Sequence, residues 1–175
     1  MPFRRTCLAL LPTLLIVLLT SGARALAQAP DPAPAPTGVR LTAAGQPAIN
    51  LTATELARAP RVTVRVTDHQ GQPHTYEGVA LHHLLALARV RLECRGDAIA
   101  QVVSVQSADG YRAVLAIGEV IPDMAPQVVL LADRRDGQPL PAASGPWQLV
   151  VPADRKPTRW VRQVRQISVS PWPAG

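Results

Sequence analysis

The feature that most constrains the fold of this chain is the strict alternation of side-chain character in residues 61–67, RVTVRVT. Three valines alternate with arginine and threonine, and a period of two is typical of a β-strand with one buried face. The sequences SADG and RRDG predict tight turns, because glycine tolerates the positive φ that such turns require. These turns separate several later apolar segments. Those segments lie at residues 100–106, 111–117, 128–132, 147–151 and 163–169. The pattern predicts a domain dominated by strands.

Two short stretches depart from this pattern and predict helices. Residues 52–55, Thr-Ala-Thr-Glu, have the form of a capping box, so we expect a short helix that begins there and ends at Pro60. A short strand pair at residues 38–41 and 48–51 is predicted to precede it. After Gly78, apolar residues recur at helical spacing, at Val79, Leu81, Leu84, Leu85 and Ala88. We therefore predict an α+β fold with a mixed β-sheet and short helices.

The N-terminal segment has the composition of an export signal. Arg4 and Arg5 precede an apolar run at residues 8–20, and Ala25-Leu26-Ala27 forms a small-x-small cleavage site. The run is shorter than the roughly 20 residues that a helix needs to cross a bilayer. We predict a signal peptide at residues 1–27 and a bacterial protein exported to the periplasm, not membrane-spanning after cleavage. The pair of arginines is compatible with twin-arginine export, and the leucine-rich run equally with the general secretory route.

The mature chain is predicted to contain one domain. Residues 28–38 alternate alanine and proline, which is typical of an extended linker without a core. Residues 39–170 form the predicted domain, and residues 171–175 a tail. Removing the signal takes three of the 18 basic residues, which leaves 15 against 12 acidic ones and a net charge of +3. So mild a charge, with 3% aromatic residues, argues against a nucleic-acid partner.

Most familiar catalytic and metal-binding patterns are missing from the sequence. His69 and His74 flank a predicted hairpin turn and could approach each other, but no cysteine or acid joins them at ligand spacing. Adjacent His82 and His83 point about 100° apart on a helix, so they cannot share an ion. The sequence contains neither a G-x-S-x-G nucleophile turn nor a glycine-rich phosphate loop. We predict no metal ligand from spacing.

A basic loop near the C-terminus is more informative. Arg155, Lys156 and Arg159 follow the apolar segment at residues 147–151 and precede the final predicted strand. Three cations on one loop can hold a phosphate, since arginine offers paired donors and lysine a point charge. A solvated loop without a ligand is the simpler alternative. The residues alone leave both interpretations open.

Four motifs, in order, resemble the molybdopterin-binding oxidoreductase domain, which has the sulfite oxidase fold. They are YEGVALHHLLALARV, SADGYRAVLAIGEV, VVLLADRRDGQPL and GPWQLVVPADRKPTRWVRQV. The chain is most similar to the small, exported, stand-alone members of that family, over residues 51–169. The resemblance implies a mixed α+β fold, bound molybdopterin, and oxygen-atom or electron transfer at molybdenum.

The resemblance also implies a set of cofactor-binding residues. Arg155, Lys156 and Arg159 fall where family members hold the pterin phosphate and ring. Trp160 matches the family's K/R-W step. Asp109 and Tyr111 match its DGY turn near the pocket. Core packing is the alternative role for the two aromatic residues.

The resemblance further places the metal-ligand cysteine near residues 67–71, between the RVTVRVT strand and the YEGVAL segment. The sequence there is TDHQG, without a thiol. Cys94 lies beyond the following helix, on the wrong side for a ligand, and Cys7 belongs to the predicted signal. We therefore predict that Cys94 is incidental and that the active site is degenerate.

Two functions follow from these observations. The first is an exported molybdopterin-binding oxidoreductase, redox-active through a pterin-bound molybdenum, whose electrons pass to a partner protein. The second is a non-catalytic binding module that has lost the cofactor and binds a small anion or a signalling partner. The missing cysteine leaves open whether the protein is an enzyme.

Overall fold

The strands of the domain divide between two sheets. The computed structural model describes residues 38–67 and 71–173. In chain order the strands are β1 (Gly38–Ala43), β2 (Ile49–Thr52), β3 (Arg61–Thr67), β4 (Pro73–Ala80), β5 (Gln101–Ser107), β6 (Arg112–Ala116), β7 (Leu130–Arg135), β8 (Gln138–Pro139), β9 (Gln148–Val150) and β10 (Val164–Pro171). The helices are α1 (Ala53–Arg58) and α2 (Leu81–Leu87). Single 3-10 turns lie at Gly96–Ala98, Ile117–Glu119 and Pro157–Arg159.

The first sheet joins the two ends of the domain. Its strand order is β2-β1-β10-β5-β6. β1 and β10 pair in parallel, whereas all the other neighbouring strands of this sheet pair antiparallel. The sheet is therefore mixed, as predicted. The predicted opening strand pair is present as the antiparallel pair β1 and β2, in which Val39 lies opposite Leu51.

The second sheet is antiparallel and is built around β7. The hairpin of β3 and β4 lies on one side of β7, while β8 and β9 pair with successive parts of its other side. The RRDG turn joins β7 to β8, with Asp136 and Gly137 at φ of 53° and 77°. Positive φ at both positions is the geometry that tight hairpin turns require, and it explains the Asp-Gly pair in the sequence.

The predicted capping box is present at the start of α1. The Glu55 backbone N–H donates to Thr52 Oγ1 at 3.2 Å, and the Thr52 N–H donates to Glu55 Oε2 at 2.7 Å. The prediction that the helical stretch begins at Val79 is wrong. Val79 and Ala80 continue β4 opposite Leu131 and Leu130, and α2 begins only at Leu81. Pairing with β7 satisfies backbone groups of Val79 and Ala80 that a helix start would leave without partners.

One apolar core runs through both sheets and α2. Leu81, Leu84 and Leu85 of α2 are completely buried, as are Val103 and Val105 of β5. The half-buried strands thus alternate as the period of two predicts, and the α+β fold predicted from the sequence is confirmed. Within the described ranges, no helix is both long and apolar enough to span a bilayer.

Candidate functional site

Two clefts meet at Trp160, in the loop that links β9 to β10. The Gln148 cleft has a volume of about 90 Å³. The Tyr111 cleft has a volume of about 330 Å³. Both are lined by Pro157, Trp160 and Arg162. The fold therefore gathers the predicted DGY turn, the predicted basic loop and the β3–β4 hairpin around one aromatic residue.

Trp160 forms the fixed wall between the two clefts. It is 7% exposed, and its Nε1–H donates to the Val151 carbonyl oxygen at 3.0 Å. The ring of Tyr76, which β4 holds in the core, meets the indole edge to face with a centroid distance of 5.7 Å. Buried edge-to-face pairs of this kind are worth roughly 1 kcal/mol beyond the area they bury. The wall is therefore rigid, and Trp160 serves both the core and the clefts.

Arg159 is engaged by carboxylates of the protein and lines neither cleft. Its Nη2 donates to Asp154 Oδ1 at 2.6 Å, its Nε donates to Asp154 Oδ2 at 3.1 Å, and its Nη1 donates to Glu119 Oε1 at 3.1 Å. The hydrogen bonds that Arg159 donates to Asp154, followed by that to Glu119, raise the pKa of this guanidinium well above its usual range. These bonds fasten the loop to the 3-10 turn at Ile117–Glu119. A cofactor contact at Arg159 stays a prediction.

Arg155 and Arg162 differ from Arg159 in having no protein partner. Both are exposed and both line the Gln148 cleft. Throughout residues 38–67 and 71–173, neither guanidinium takes part in a hydrogen bond or an ion pair. Lys156 is exposed next to them but lines neither cleft. The predicted basic loop thus directs one of its three cations, Arg155, at the cleft, and Arg162 joins it from beyond Trp160.

Gln148 is the residue that sequence reasoning missed. It lies in β9 and is 6% exposed, yet its amide makes no hydrogen bond to any residue that the structure describes. Its amide atoms keep some access to the cleft, because the described residues include no fully buried side-chain nitrogen or oxygen without a hydrogen bond, so the amide is available to a ligand. The signal in the sequence was a single polar residue inside the apolar segment WQLVV, residues 147–151.

The predicted pair Asp109 and Tyr111 shapes the Tyr111 cleft. Asp109 accepts hydrogen bonds from the Ser107 hydroxyl and from the Tyr111 N–H, and these lower the pKa of its carboxyl group. The Tyr111 hydroxyl donates to the Thr158 carbonyl oxygen at 2.6 Å, although the residue is 47% exposed. Asp109 therefore holds the turn, while Tyr111 ties β6 to the loop that carries Trp160.

Of the segment where the resemblance places a metal ligand, the structure describes Thr67 and Gly71, and Thr67 lines the Gln148 cleft. Asp68, His69 and Gln70 lie outside the described residues. Cys94 is exposed and lines neither cleft. Among the residues described, no group of three or more histidine, cysteine, aspartate or glutamate side chains could hold a metal ion.

His74 also lines the Gln148 cleft, and Asp136 orients its ring. His74 Nδ1 lies 2.7 Å from Asp136 Oδ2, and its ring meets Tyr76 edge to face at 6.5 Å. Asp136 also accepts the Thr75 N–H at 2.8 Å. His82 and His83 lie on α2, half-buried, and line neither cleft. His74 is thus the one described histidine on the clefts.

Comparison with known proteins agrees with this geometry. Residues 30–174 match the family model of the oxidoreductase molybdopterin binding domain. The sulfane dehydrogenase SoxCD from Paracoccus pantotrophus has a similar fold, with a TM-score of 0.60 and 20% sequence identity over 75% of this chain. The match spans 37% of the SoxCD chain. No curated protein matches the sequence. The family model covers nearly the whole predicted mature chain, so the resemblance seen in the four motifs is confirmed and the chain belongs to the molybdopterin-binding oxidoreductase domain family.

Proposed function

We propose that this chain is a non-catalytic binding module of its family and that the Gln148 cleft binds a small anion. The observation that supports this proposal is the unpaired amide of Gln148, 6% exposed, on a cleft that Arg155 and Arg162 also line. Guanidinium groups form strong, paired hydrogen bonds to oxyanions. The Gln148 amide adds a neutral donor, and Arg135 is a third guanidinium on the lining; the Asp154 carboxylate also lines the cleft but is paired with Arg159.

The donor set fits an anion and does not fit the molybdenum centre that the family implies. The resemblance requires a thiolate near residues 67–71, and the sequence holds only Cys7 and Cys94. Cys7 lies in the predicted signal, and Cys94 is exposed away from both clefts. Soft thiolate ligands cannot be replaced by amide or guanidinium groups, which donate hydrogen bonds and offer a metal no comparable ligand. We therefore derive no catalytic step through the metal.

A molybdopterin-dependent oxidoreductase is the second candidate, and membership of the family favours it. In that case the Tyr111 cleft, with about 330 Å³, is the larger space beside the arginines and would receive the pterin. The predicted contacts at Asp109, Tyr111, Arg155, Lys156, Arg159 and Trp160 belong to this candidate.

Metal content separates the two candidates directly. The protein is purified from its native host, and molybdenum and pterin are measured per chain by mass spectrometry and fluorescence of the oxidised pterin. If the chain is a binding module, the purified protein is expected to be folded and to contain neither molybdenum nor pterin. Stoichiometric molybdenum would overturn it in favour of the oxidoreductase.

Anion binding is tested by calorimetric titration with sodium phosphate and with sodium sulfate. Replacing Arg155 or Arg162 by alanine removes a charge-assisted contact and is expected to weaken binding about tenfold or more. Lys156→Ala is the matched control, because it removes the same charge beside the cleft without removing a lining residue. No binding at tens of millimolar anion, or equal loss in the Lys156 variant, would contradict the proposed site.

We also propose that the module works in the periplasm, in contact with a protein partner of a redox or signalling system. The signal features of residues 1–27 and the alanine-proline linker at residues 28–38 support export. Cell fractionation should find the chain in the periplasmic fraction, with an N-terminus that follows Ala27. Recovery from the cytoplasm with the first residues intact would contradict this.

A further inference from the structure

We propose that a third cleft, the Trp172 cleft at the far end of β10 from Trp160, binds a neutral saccharide through stacking on Trp172. The clefts at Trp160 lie where β10 begins, and Trp172 directly follows its last residue, Pro171. Eight residues of strand separate the two places by roughly 25 Å. The Trp172 cleft has a volume of about 390 Å³, within the range of small-molecule sites.

Trp172 is exposed but held in place by the sheet. Its side chain is 65% exposed, while its backbone N–H donates to the Ala100 carbonyl oxygen at 2.8 Å. The other two tryptophans, Trp147 and Trp160, are 5% and 7% exposed. Trp172 therefore offers an uncovered aromatic surface on the lining of the Trp172 cleft, and the backbone bond fixes the strand end that carries it.

Small residues form much of the lining of the Trp172 cleft. Ala43, Ala44, Ala98 and Ala100 line it, together with the buried Val90. Because alanine side chains are short, they leave a broad space opposite the indole. The cleft therefore has room for a flat ring laid against Trp172.

Polar groups stand around that space with donors and acceptors mixed. Gln101 Nε2–H donates to the Ala98 carbonyl oxygen at 2.9 Å, so its amide oxygen is left as an acceptor. Arg89 lines the cleft at φ of 57°, a conformation that arginine rarely adopts. This is the left-handed residue that ends helix α2, where the Val90 N–H donates to the Leu85 carbonyl oxygen at 3.1 Å. Arg89 therefore lines the cleft at a position where glycine would be the easier residue.

The charge of the lining is balanced. Arg91 pairs with Glu93 through two hydrogen bonds, at 2.8 and 3.0 Å, which leaves Arg89 and Asp97 as opposite charges on the lining. A site without net charge does not select an anion, in contrast to the Gln148 cleft. It suits a neutral ligand whose groups both donate and accept hydrogen bonds.

A β-linked pyranose has this chemistry. Its ring presents a flat face of C–H groups that packs on an indole, and its equatorial hydroxyl groups project toward the rim as donors and acceptors. We therefore assign the cleft to a β-linked sugar of the glucose or N-acetylglucosamine type, whose ring hydroxyl groups are equatorial. This assignment is independent of the proposed anion site.

The test titrates the full chain with cellotriose and with chitotriose, by calorimetry and by tryptophan fluorescence. Covering the one exposed tryptophan is expected to shift the emission to shorter wavelength with saturation at millimolar sugar. Trp172→Ala is expected to weaken binding about tenfold or more in calorimetry, with an unchanged thermal midpoint because the side chain is exposed. Arg89→Gly gives a second variant that removes the rim donor and relieves the backbone.

Gln148→Leu is the control that separates this site from the other. It should keep sugar binding and lose phosphate binding, whereas Trp172→Ala should do the reverse. The saccharide assignment would be overturned if neither sugar gave a binding heat or an emission shift at about 20 mM, roughly 20 times a Kd of about 1 mM. Sugar binding that persists unchanged in Trp172→Ala would overturn the site.

Discussion

Replacing Gln148 by leucine should make the domain more stable while it abolishes anion binding. The side chain is 6% exposed in β9, and its amide has no partner in the described part of the chain. Burying an unpaired polar group costs about 1–3 kcal/mol, and leucine has nearly the same volume without the polar atoms. A polar residue kept at such a cost is expected where a ligand supplies the missing hydrogen bonds.

The structure sets the size of the effect near the lower end of that range. Every amide atom of Gln148 retains some access to the cleft, since no fully buried side-chain atom of the described residues lacks a partner. Cleft water therefore compensates part of the cost. We expect Gln148→Leu to raise the free energy of unfolding by about 1 kcal/mol, which corresponds to a rise in Tm of about 4 °C for a domain of this size.

Urea denaturation in phosphate-free buffer measures this gain. Gln101→Leu is the matched control: its amide donates to the Ala98 carbonyl oxygen, so the same substitution should bring no gain and a small loss. Added phosphate should stabilise the wild-type protein alone. At about five times the Kd, that stabilisation reaches ~1 kcal/mol and the two proteins become equally stable; at higher phosphate the wild-type protein is the more stable.

Two results would refute the reasoning about Gln148. If Gln148→Leu lowered the free energy of unfolding by 1 kcal/mol or more, with an unchanged m-value, the amide would be stabilising the fold itself. Equal stabilisation of both proteins by phosphate would mean that the anion binds elsewhere.

Three further predictions concern the scaffold around the clefts. Gly78→Ala should destabilise the domain by about 3 kcal/mol in urea denaturation, because a Cβ there overlaps the Leu131 carbonyl oxygen and backbone must move; a loss under 1 kcal/mol would contradict this. Hydrogen bonds from the Thr75 N–H and then from the His74 side chain lower the pKa of Asp136. The contribution of Asp136 to the free energy of unfolding is therefore complete above the ordinary carboxyl pKa and is lost as the pH falls through the lowered value. Asp136→Asn should therefore flatten the acid limb of a stability–pH curve below about pH 4, and an unchanged limb would refute the assignment. Arg159→Ala should cost about 1 kcal/mol and weaken phosphate binding only slightly, measured by urea denaturation and calorimetry, because its carboxylate partners position the loop and not the ligand.

Local features of the fold could be read from the sequence because they depend on neighbours in the chain. The capping box at Thr52, the alternation in β3 and the Asp-Gly turn at Asp136 each follow from residues within four positions of one another. The division into two sheets could not be read, since it depends on which distant strands pair. The same reason explains the error at Val79, where pairing with Leu131 extends β4 against the helical pattern.

The candidate site could be predicted only in part. The clustered cations identified the loop with Arg155 in the sequence, and the resemblance to the family added Trp160. It could not separate Arg155, which has no protein partner, from Arg159, which is held by carboxylates 5 and 40 positions away. Gln148 escaped notice because an unpaired amide is a property of the folded protein.

The position of β10 governs the order in which this domain can be made. The strand lies between β1 and β5, at the centre of the first sheet, yet among the strands of the described domain it is the last to be synthesised. Until it emerges, β1 and β5 have no bridge between them, and the apolar side chains that they direct at the core stay uncovered. Long-range pairing of this kind also slows folding. We therefore expect the domain to remain unfolded until β10 has been synthesised, the state in which a polypeptide can be threaded through a secretory channel.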